Sequence, residues 1–260
     1  MELRAAVVVV TGASRGIGRG TGELLAARGA RVVGVAREAA ALDRLDAATG
    51  GASLAADVAD PAAADHIVEH ALRSYGRLDG VVVNAGLGHA GDFGEMPADR
   101  IAELVDVNLR AALLLTRACL PALRAQPPGP SDRPSGRRGG IVFVGSIAGA
   151  VGVPGESVYS ATKAGLACFA GLLREELRAD RIGVSTVLPG VVTTDLLRSR
   201  GVPYDRRFPR PMPPERAAAA VVRALQAGTP QVFIPRWLAI PAWLAGTAPG
   251  LYRLLARHFG

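Results

Sequence analysis

Residues 7–18, VVVVTGASRGIG, decide how this chain folds. The four valines form a short, unbroken apolar run, the pattern of a strand buried on both faces of a parallel sheet. Thr11 and Gly12 end the run, and the glycines at 12, 16 and 18 lead into a helix. Glycine lets the backbone turn sharply and approach a pyrophosphate, which then rests on the helix N-terminus. A glycine pattern alone also fits a structural turn; its position between a strand and a helix favours a nucleotide cradle.

The same alternation continues outward. Strands are expected at 6–10, 31–36, 53–56, 80–83, 140–144, 183–188 and 231–234, and helices at segments such as 18–28, 61–75, 101–123 and 157–178. This order predicts a Rossmann-type α/β fold, a doubly wound parallel sheet in a single domain. A chain of 260 residues is long enough for one such domain with a substantial core. Residues 1–234 read as the nucleotide-binding catalytic domain and 235–260 as an apolar C-terminal extension. Three stretches break the rhythm. Residues 126–139, QPPGPSDRPSGRRG, read as an exposed loop. Residues 198–214 are also rich in Pro and Arg and lie where a substrate lid would sit. The third is the tail.

Composition narrows the function classes. The net charge is +7, which arginine-for-lysine drift and basic loops explain; a polyanion or an anionic membrane surface is the competing reading. No nucleic-acid motif accompanies the charge, so no nucleic-acid partner is expected. Cys119 and Cys168 lie in apolar helical stretches without a spacing motif. They are expected to be buried and reduced in a cytoplasmic protein, and no metal site is read. The run at 5–10 is short and lacks a small-residue cleavage pattern, so it reads as a strand and not as a signal peptide.

Among the 30 lysines and arginines, Lys163 is the one lysine. Arginine cannot replace lysine where a compact point charge is needed, so a lone survivor marks such a place. Lys163 stands four residues after Tyr159, and Ser146 ends the expected fifth strand thirteen residues before that tyrosine. Positions i and i+4 share a helix face, so both side chains can point into one cleft. Carbonyl–alcohol interconversion needs a proton at the oxygen. A tyrosine hydroxyl can supply it, but its ordinary pKa is about 10. A neighbouring ammonium would lower it. Alone, Tyr159 reads as packing and Ser146 as a turn residue; together with Lys163 they read as a reaction centre.

The TGxxxGxG loop and the Ser146–Tyr159–Lys163 set are similar to those of the short-chain dehydrogenase/reductase family, a resemblance running from about Val7 to Asp195. It implies that Gly12, Ser14, Arg15, Gly16, Ile17 and Gly18 cradle a nicotinamide dinucleotide. Members preferring NAD carry an acid at the end of the second strand. Here Ala36 takes that place and Arg37 follows. With Arg15 in the loop, this implies NADP(H) as the preferred cofactor, with NAD(H) still open, because arginine offers paired donors to a 2′-phosphate. Asp57 and Val58 resemble the adenine-contacting pair. Asn84, Ala85 and Gly86 resemble the family's NAG motif, in which the asparagine holds the central sheet and the glycine leaves room for the cofactor. The resemblance further implies that Tyr159 and Lys163 meet the nicotinamide ribose, Ser146 the substrate oxygen, and Asn108 a water relaying protons to the lysine. Pro189, Gly190, Val192 and Thr194 match the segment that meets the carboxamide and the phosphates. His89 reads as a loop residue exposed to solvent before it reads as a wall of the substrate site, and Val153, Pro154 and Glu156 as bordering the pocket.

The tail from Trp237 to Tyr252 carries no charge, and Arg253 and Arg257 follow. It is too short and too broken by proline and glycine to cross a bilayer. Packing on the substrate cleft, on a subunit neighbour, or on a membrane surface as a peripheral contact are the readings left open. The resemblance implies a homo-oligomer, dimer or tetramer. The expected function is an NADP(H)-dependent oxidoreductase interconverting a hydrophobic ketone or aldehyde with its alcohol. The alternative is a catalytically silent NADP(H)-binding regulatory or scaffold protein. A nucleotide-sugar epimerase or dehydratase would show a longer chain and a TGxxGxxG loop.

Overall fold

The computed structural model describes residues 1–127, 136–204 and 209–259. Its strands are β1 (Val7–Thr11), β2 (Arg31–Ala36), β3 (Leu54–Ala55), β4 (Gly80–Val83), β5 (Gly139–Val144), β6 (Ile182–Pro189) and β7 (Gln231–Ile234). They form one sheet in the order β3-β2-β1-β4-β5-β6-β7. Every neighbouring pair is parallel. The Rossmann-type α/β architecture expected from the alternation is present.

The helices between the strands cover both faces. They are α1 (Gly16–Ala26), α2 (Ala39–Thr49), α3 (Ala63–Tyr75), α4 (Ala98–Val105), α5 (Ala111–Ala125), α6 (Ile147–Val151), α7 (Ser157–Glu176), α8 (Asp195–Arg198), α9 (Pro214–Ala227), α10 (Ala239–Thr247) and α11 (Pro249–Phe259). Because successive side chains on a strand point to opposite faces, one valine run serves two cores. Val8 and Val10 pack with Val82, Val142 and Val187 against Leu25 of α1 and Val221 of α9. Val7 and Val9 pack with Val81, Ile141 and Phe143 against Ile67 of α3, Leu115 of α5 and Leu166 of α7. Phe143 is fully buried, with its ring edge-on to Phe169 at 5.8 Å.

Two features differ from the sequence expectation. The helix expected at 101–123 is interrupted by a π-helical turn, Asp106–Arg110, between α4 and α5. Such turns are rare and recur at functional sites, and this one carries the buried Asn108. Cys119 is buried, and burial pushes its thiol up to about 12. Cys168 is exposed, against expectation, because its position on α7 faces away from the sheet. The tail is helical, with a short 3-10 turn, Arg236–Leu238, leading into α10. Among the described residues no helix is long and apolar enough to cross a membrane. Of the expected exposed loop, residues 128–135 lie outside the described residues, as do 205–208 of the expected lid.

Candidate active site

Sheet order reverses at β1: the chain winds from β1 through β2 to β3, then returns to place β4 on the other side of β1. A crevice opens at such a switch point, beyond the carboxyl ends of the strands. Here it is built by the loops after β1 and β4. Asn84 stitches the two together. Its side-chain amide donates to the Thr11 carbonyl at 2.9 Å and to the Gly12 carbonyl at 3.3 Å, while the backbone N–H groups of Asn84 and Ala85 each donate to Thr11 Oγ1 at 3.0 Å.

The glycine loop fits this crevice only without side chains at two places. Gly12 has φ +66°, and a Cβ there would stand 2.9 Å from Asn84 Nδ2. A Cβ on Gly18 would stand 2.2 Å from the Gly12 carbonyl oxygen, well inside van der Waals contact. The loop therefore closes on itself and presents the start of α1 to a cavity of about 180 Å³. Gly12, Ser14, Arg15, Gly16 and Ile17 line it, with Arg37, Asp57, Val58, Asn84, Ala85, Gly86 and Thr194. Gly18 stays behind the wall, where its role is steric.

Both arginines of interest sit at the rim. Arg37 lies 3.9 Å from Asp57 and Arg15 lies 3.4 Å from Asp195, with both guanidinium side chains 64% exposed. Exposed pairs of this kind contribute about 0–1 kcal/mol, so either cation can turn to a stronger anion at little loss. Arg198 also binds Asp195 and, as the main cause, holds its carboxyl below the usual carboxylate range. A dinucleotide fits these residues: the cradle has no Cβ in the way, a helix start faces it, and two cations border it.

A second cavity, of about 1070 Å³, adjoins the first. They share Ile17, Asn84, Gly86, Thr194 and Leu196 as lining. Ser146, Tyr159 and Lys163 meet in its wall. Ser146 lies just beyond β5 and caps α6, its hydroxyl accepting from the Ala148 N–H at 3.1 Å. Tyr159 and Lys163 lie one turn apart on α7. Gly149 brings the two helices together: a Cβ there would stand 2.6 Å from the Lys163 backbone carbon, so α6 lies directly on the α7 backbone. That approach places Ser146 within hydrogen-bonding reach of Tyr159.

Lys163 is 3% exposed, and its ammonium donates to the Val144 carbonyl at 3.0 Å. Burial lowers its pKa to about 8. Tyr159 is pushed up to about 12, chiefly by burial; the Ser146 hydrogen bond pulls it down and the Glu156 carboxylate raises it further. The lowering expected from Lys163 does not figure in this balance. The ammonium is directed at Val144 and sits 6.0 Å from the Tyr159 ring centroid. Asn108 does not line the cavity. It is buried on the π-helical turn, bound to Leu87 through its amide N–H (2.9 Å) and its carbonyl (2.7 Å). A Cβ on Gly86 would stand 3.2 Å from Asn108 Oδ1 and 3.4 Å from Lys163 Nζ, so Gly86 marks where Asn108 and Lys163 converge.

Pro189, Gly190 and Val192 line the larger cavity, as do Val153, Pro154, Glu156 and His89. His89 is half-buried there, against its expected exposure in a loop. The expected lid and tail stretches supply further wall residues. Arg200 and Glu156 form an ion pair, their side chains only 13% and 16% exposed. Arg200 also stacks over Tyr204 at 5.5 Å. From the tail, Trp237, Leu238, Pro241 and Tyr252 face inward. Leu238 can approach because residue 190 is glycine; a Cβ there would meet its Cδ1 at 2.9 Å.

Comparison with known proteins agrees with this geometry. The family model described as short chain dehydrogenase matches residues 6–203. The 3-oxoacyl-(acyl-carrier-protein) reductase of Escherichia coli is 33% identical over 201 residues, 76% of this chain and 78% of its own. An uncharacterized oxidoreductase of Myxococcus xanthus is 32% identical over 264 residues, 99% of this chain and 98% of its own. The crystal structure of a 3-ketoacyl-(acyl-carrier-protein) reductase from Brucella melitensis, complexed with NADH, superposes with a TM-score of 0.80 at 27% identity, covering 89% of this chain and 97% of that one.

Proposed function

The chain belongs to the short-chain dehydrogenase family, oxidoreductases acting on CH–OH or ketone groups with a nicotinamide cofactor, and from that premise we propose that it interconverts an apolar ketone or aldehyde with its alcohol, using NADP(H). One observation carries the reading. Ser146, Tyr159 and Lys163 converge where a large, mostly apolar cavity meets the nucleotide cradle. A bound nicotinamide would supply or accept the hydride. The chain's own residues do the rest.

Ser146 and Tyr159 hold the substrate oxygen, and the Tyr159 hydroxyl gives its proton to that oxygen in reduction or takes it back in oxidation. With its pKa at about 12, Tyr159 stays protonated at neutral pH, so its proton is in place for reduction and must be drawn off before oxidation. Lys163 and Asn108 stand beside Gly86, where a proton can be returned to the tyrosine through the lysine. Arg15 and Arg37 serve a 2′-phosphate, and no carboxylate ends β2 to oppose it. Ile147, Val151, Leu196 and Trp237 give the cavity its apolar walls. Several relatives are named as reductases of 3-oxoacyl chains, and an apolar chain bearing a carbonyl suits these walls. Residues 1–234 carry the chemistry, and 235–260 form an extension that closes the substrate cavity.

The test is a spectrophotometric screen of NADPH and NADH against ketones, aldehydes and alcohols of graded hydrophobicity, with Tyr159→Phe in parallel. The reading expects turnover that rises with apolar chain length, favours NADPH, and disappears in the variant with NADPH binding intact. Tight NADPH binding without turnover would make the protein a silent binder. Undiminished turnover by Tyr159→Phe would remove the proton-transfer role.

A further inference from the structure

The C-terminal extension has two faces, and the cavity uses only one. The inner face carries Leu238, Pro241 and Tyr252 into the substrate cavity. The outer face exposes large apolar side chains: Ile240 at 68%, Trp243 at 67%, Leu254 at 58% and Leu251 at 50%. Their spacing is helical. Arg236, Ile240 and Trp243 follow at i, i+4 and i+7 along the 3-10 turn and α10, while Leu251 and Leu254 follow at i and i+3 on α11, and Leu255 turns toward the cavity. The helices meet at Ala248, whose extended φ of −138° ends α10, and Pro249 starts α11. The outer residues therefore form a patch of a kind soluble monomers seldom leave open.

Charge decides what covers the patch. The last acidic residue in the sequence is Glu215, so residues 216–260 contain none, while Arg236 is exposed beside the patch and Arg253, also exposed, stands at the edge where α11 borders the cavity. A symmetric contact between two copies through this face would bring each copy's arginines together with no acidic side chain from the segment to offset them. An anionic lipid surface offsets them directly. It also accepts tryptophan at the level of the headgroups and the aliphatic residues just below it.

We propose that the α10–α11 hairpin docks this protein on an anionic lipid surface through Ile240, Trp243, Leu251 and Leu254. The cavity mouth, bordered by the same hairpin, then lies against the lipid, and an apolar substrate passes between bilayer and active site without crossing water. Docking stands on the patch and its charge. The substrate route rests on the carbonyl–alcohol reading given above.

The experiment uses the full-length protein and vesicles of phosphatidylglycerol with phosphatidylcholine, compared with phosphatidylcholine alone, in low and high salt. Flotation should carry the protein with the anionic vesicles, more weakly at high salt, and leave it behind with the neutral ones. The double variant Ile240→Glu/Trp243→Glu should lose roughly a hundredfold or more in partition, since two buried apolar anchors become charges. Neither residue lines the cavity. NADPH binding, followed by fluorescence titration, should therefore be unchanged in the variant and shows that it folds. Wild-type protein that ignores anionic vesicles overturns docking, and so does binding that survives in the double variant. A dimer by light scattering that the double variant breaks, with no vesicle binding, would assign the face to a second copy. Flotation is read without any turnover. Failure to reduce any carbonyl therefore counts against the enzymatic reading alone, and failure to float counts against docking alone.

Discussion

Replacing Lys163 with methionine should make this protein more stable at neutral pH while it destroys activity. The side chain is 3% exposed, and burial takes its pKa from 10.5 to about 8. At about 1.4 kcal/mol per pH unit, that difference corresponds to about 3 kcal/mol of unfavourable burial. The cost is fully present below pH 8, where the lysine is charged in folded and unfolded chains alike. Between about 8 and 10.5 the unfolded chain holds the proton and the folded one does not, so stability rises with pH. Above 10.5 both forms are neutral and the cost is gone. Methionine fills a similar volume without charge, but it leaves the Val144 carbonyl without its donor at 3.0 Å, which returns about 1 kcal/mol. The variant should therefore exceed the wild type by about 2 kcal/mol at pH 7. By pH 10 most of that advantage should be lost. Urea unfolding of nucleotide-stripped protein at both pH values, followed by far-UV circular dichroism, reads the two differences. Other titrating groups are common to both proteins and cancel to first order. A difference that stays constant from pH 7 to 10 would refute the buried, charge-bearing lysine.

Lys163→Arg should lower turnover by about a hundredfold or more in a steady-state assay, because a guanidinium is too bulky for the space between Val144 and Gly86 and cannot return a proton. Gly18→Ala should destabilise the fold by about 1–3 kcal/mol and weaken NADPH binding, since its methyl meets the Gly12 carbonyl; calorimetry and fluorescence titration check the two effects. Arg37→Asp should shift the NADPH-to-NADH ratio of kcat/KM toward NADH by roughly tenfold to a hundredfold, the range of one charge-assisted hydrogen bond. Glu156→Gln removes a carboxylate that raises the Tyr159 pKa, so the ascending limb of the pH profile for alcohol oxidation should move to lower pH. An unmoved limb would mean that pairing with Arg200 already silences Glu156.

Much of the fold was legible because it depends on short-range pattern. The unbroken valine run could be buried only from both sides, and alternating strand and helix signals left few topologies. The interrupted helix was not legible. A π-helical turn adds no break in hydrophobic period, so Asp106–Arg110 read as ordinary helix, and the burial of Asn108 on it was invisible. Cys168 was misread for a related reason: an apolar neighbourhood in sequence does not say which side of a helix a residue takes. His89 was assigned to solvent because loops lie on surfaces, but this loop forms a cavity wall.

The sequence by itself determined the layered α/β fold, the glycine cradle, and the pairing of Tyr159 with Lys163, because each is set by spacings within about one helical turn or one strand. Tertiary structure decided what depends on meetings between distant segments. Arg200 finds Glu156 across 44 residues and Gly149 sets α6 on α7. The large cavity is closed by a tail that begins some 75 residues after Tyr159. It also reversed the electrostatic expectation for Tyr159 and Lys163. Proximity in sequence promised that Lys163 would lower the Tyr159 pKa, but burial acts on both groups and moves the tyrosine up and the lysine down. Desolvation depends on everything packed around a side chain, and no local spacing encodes that.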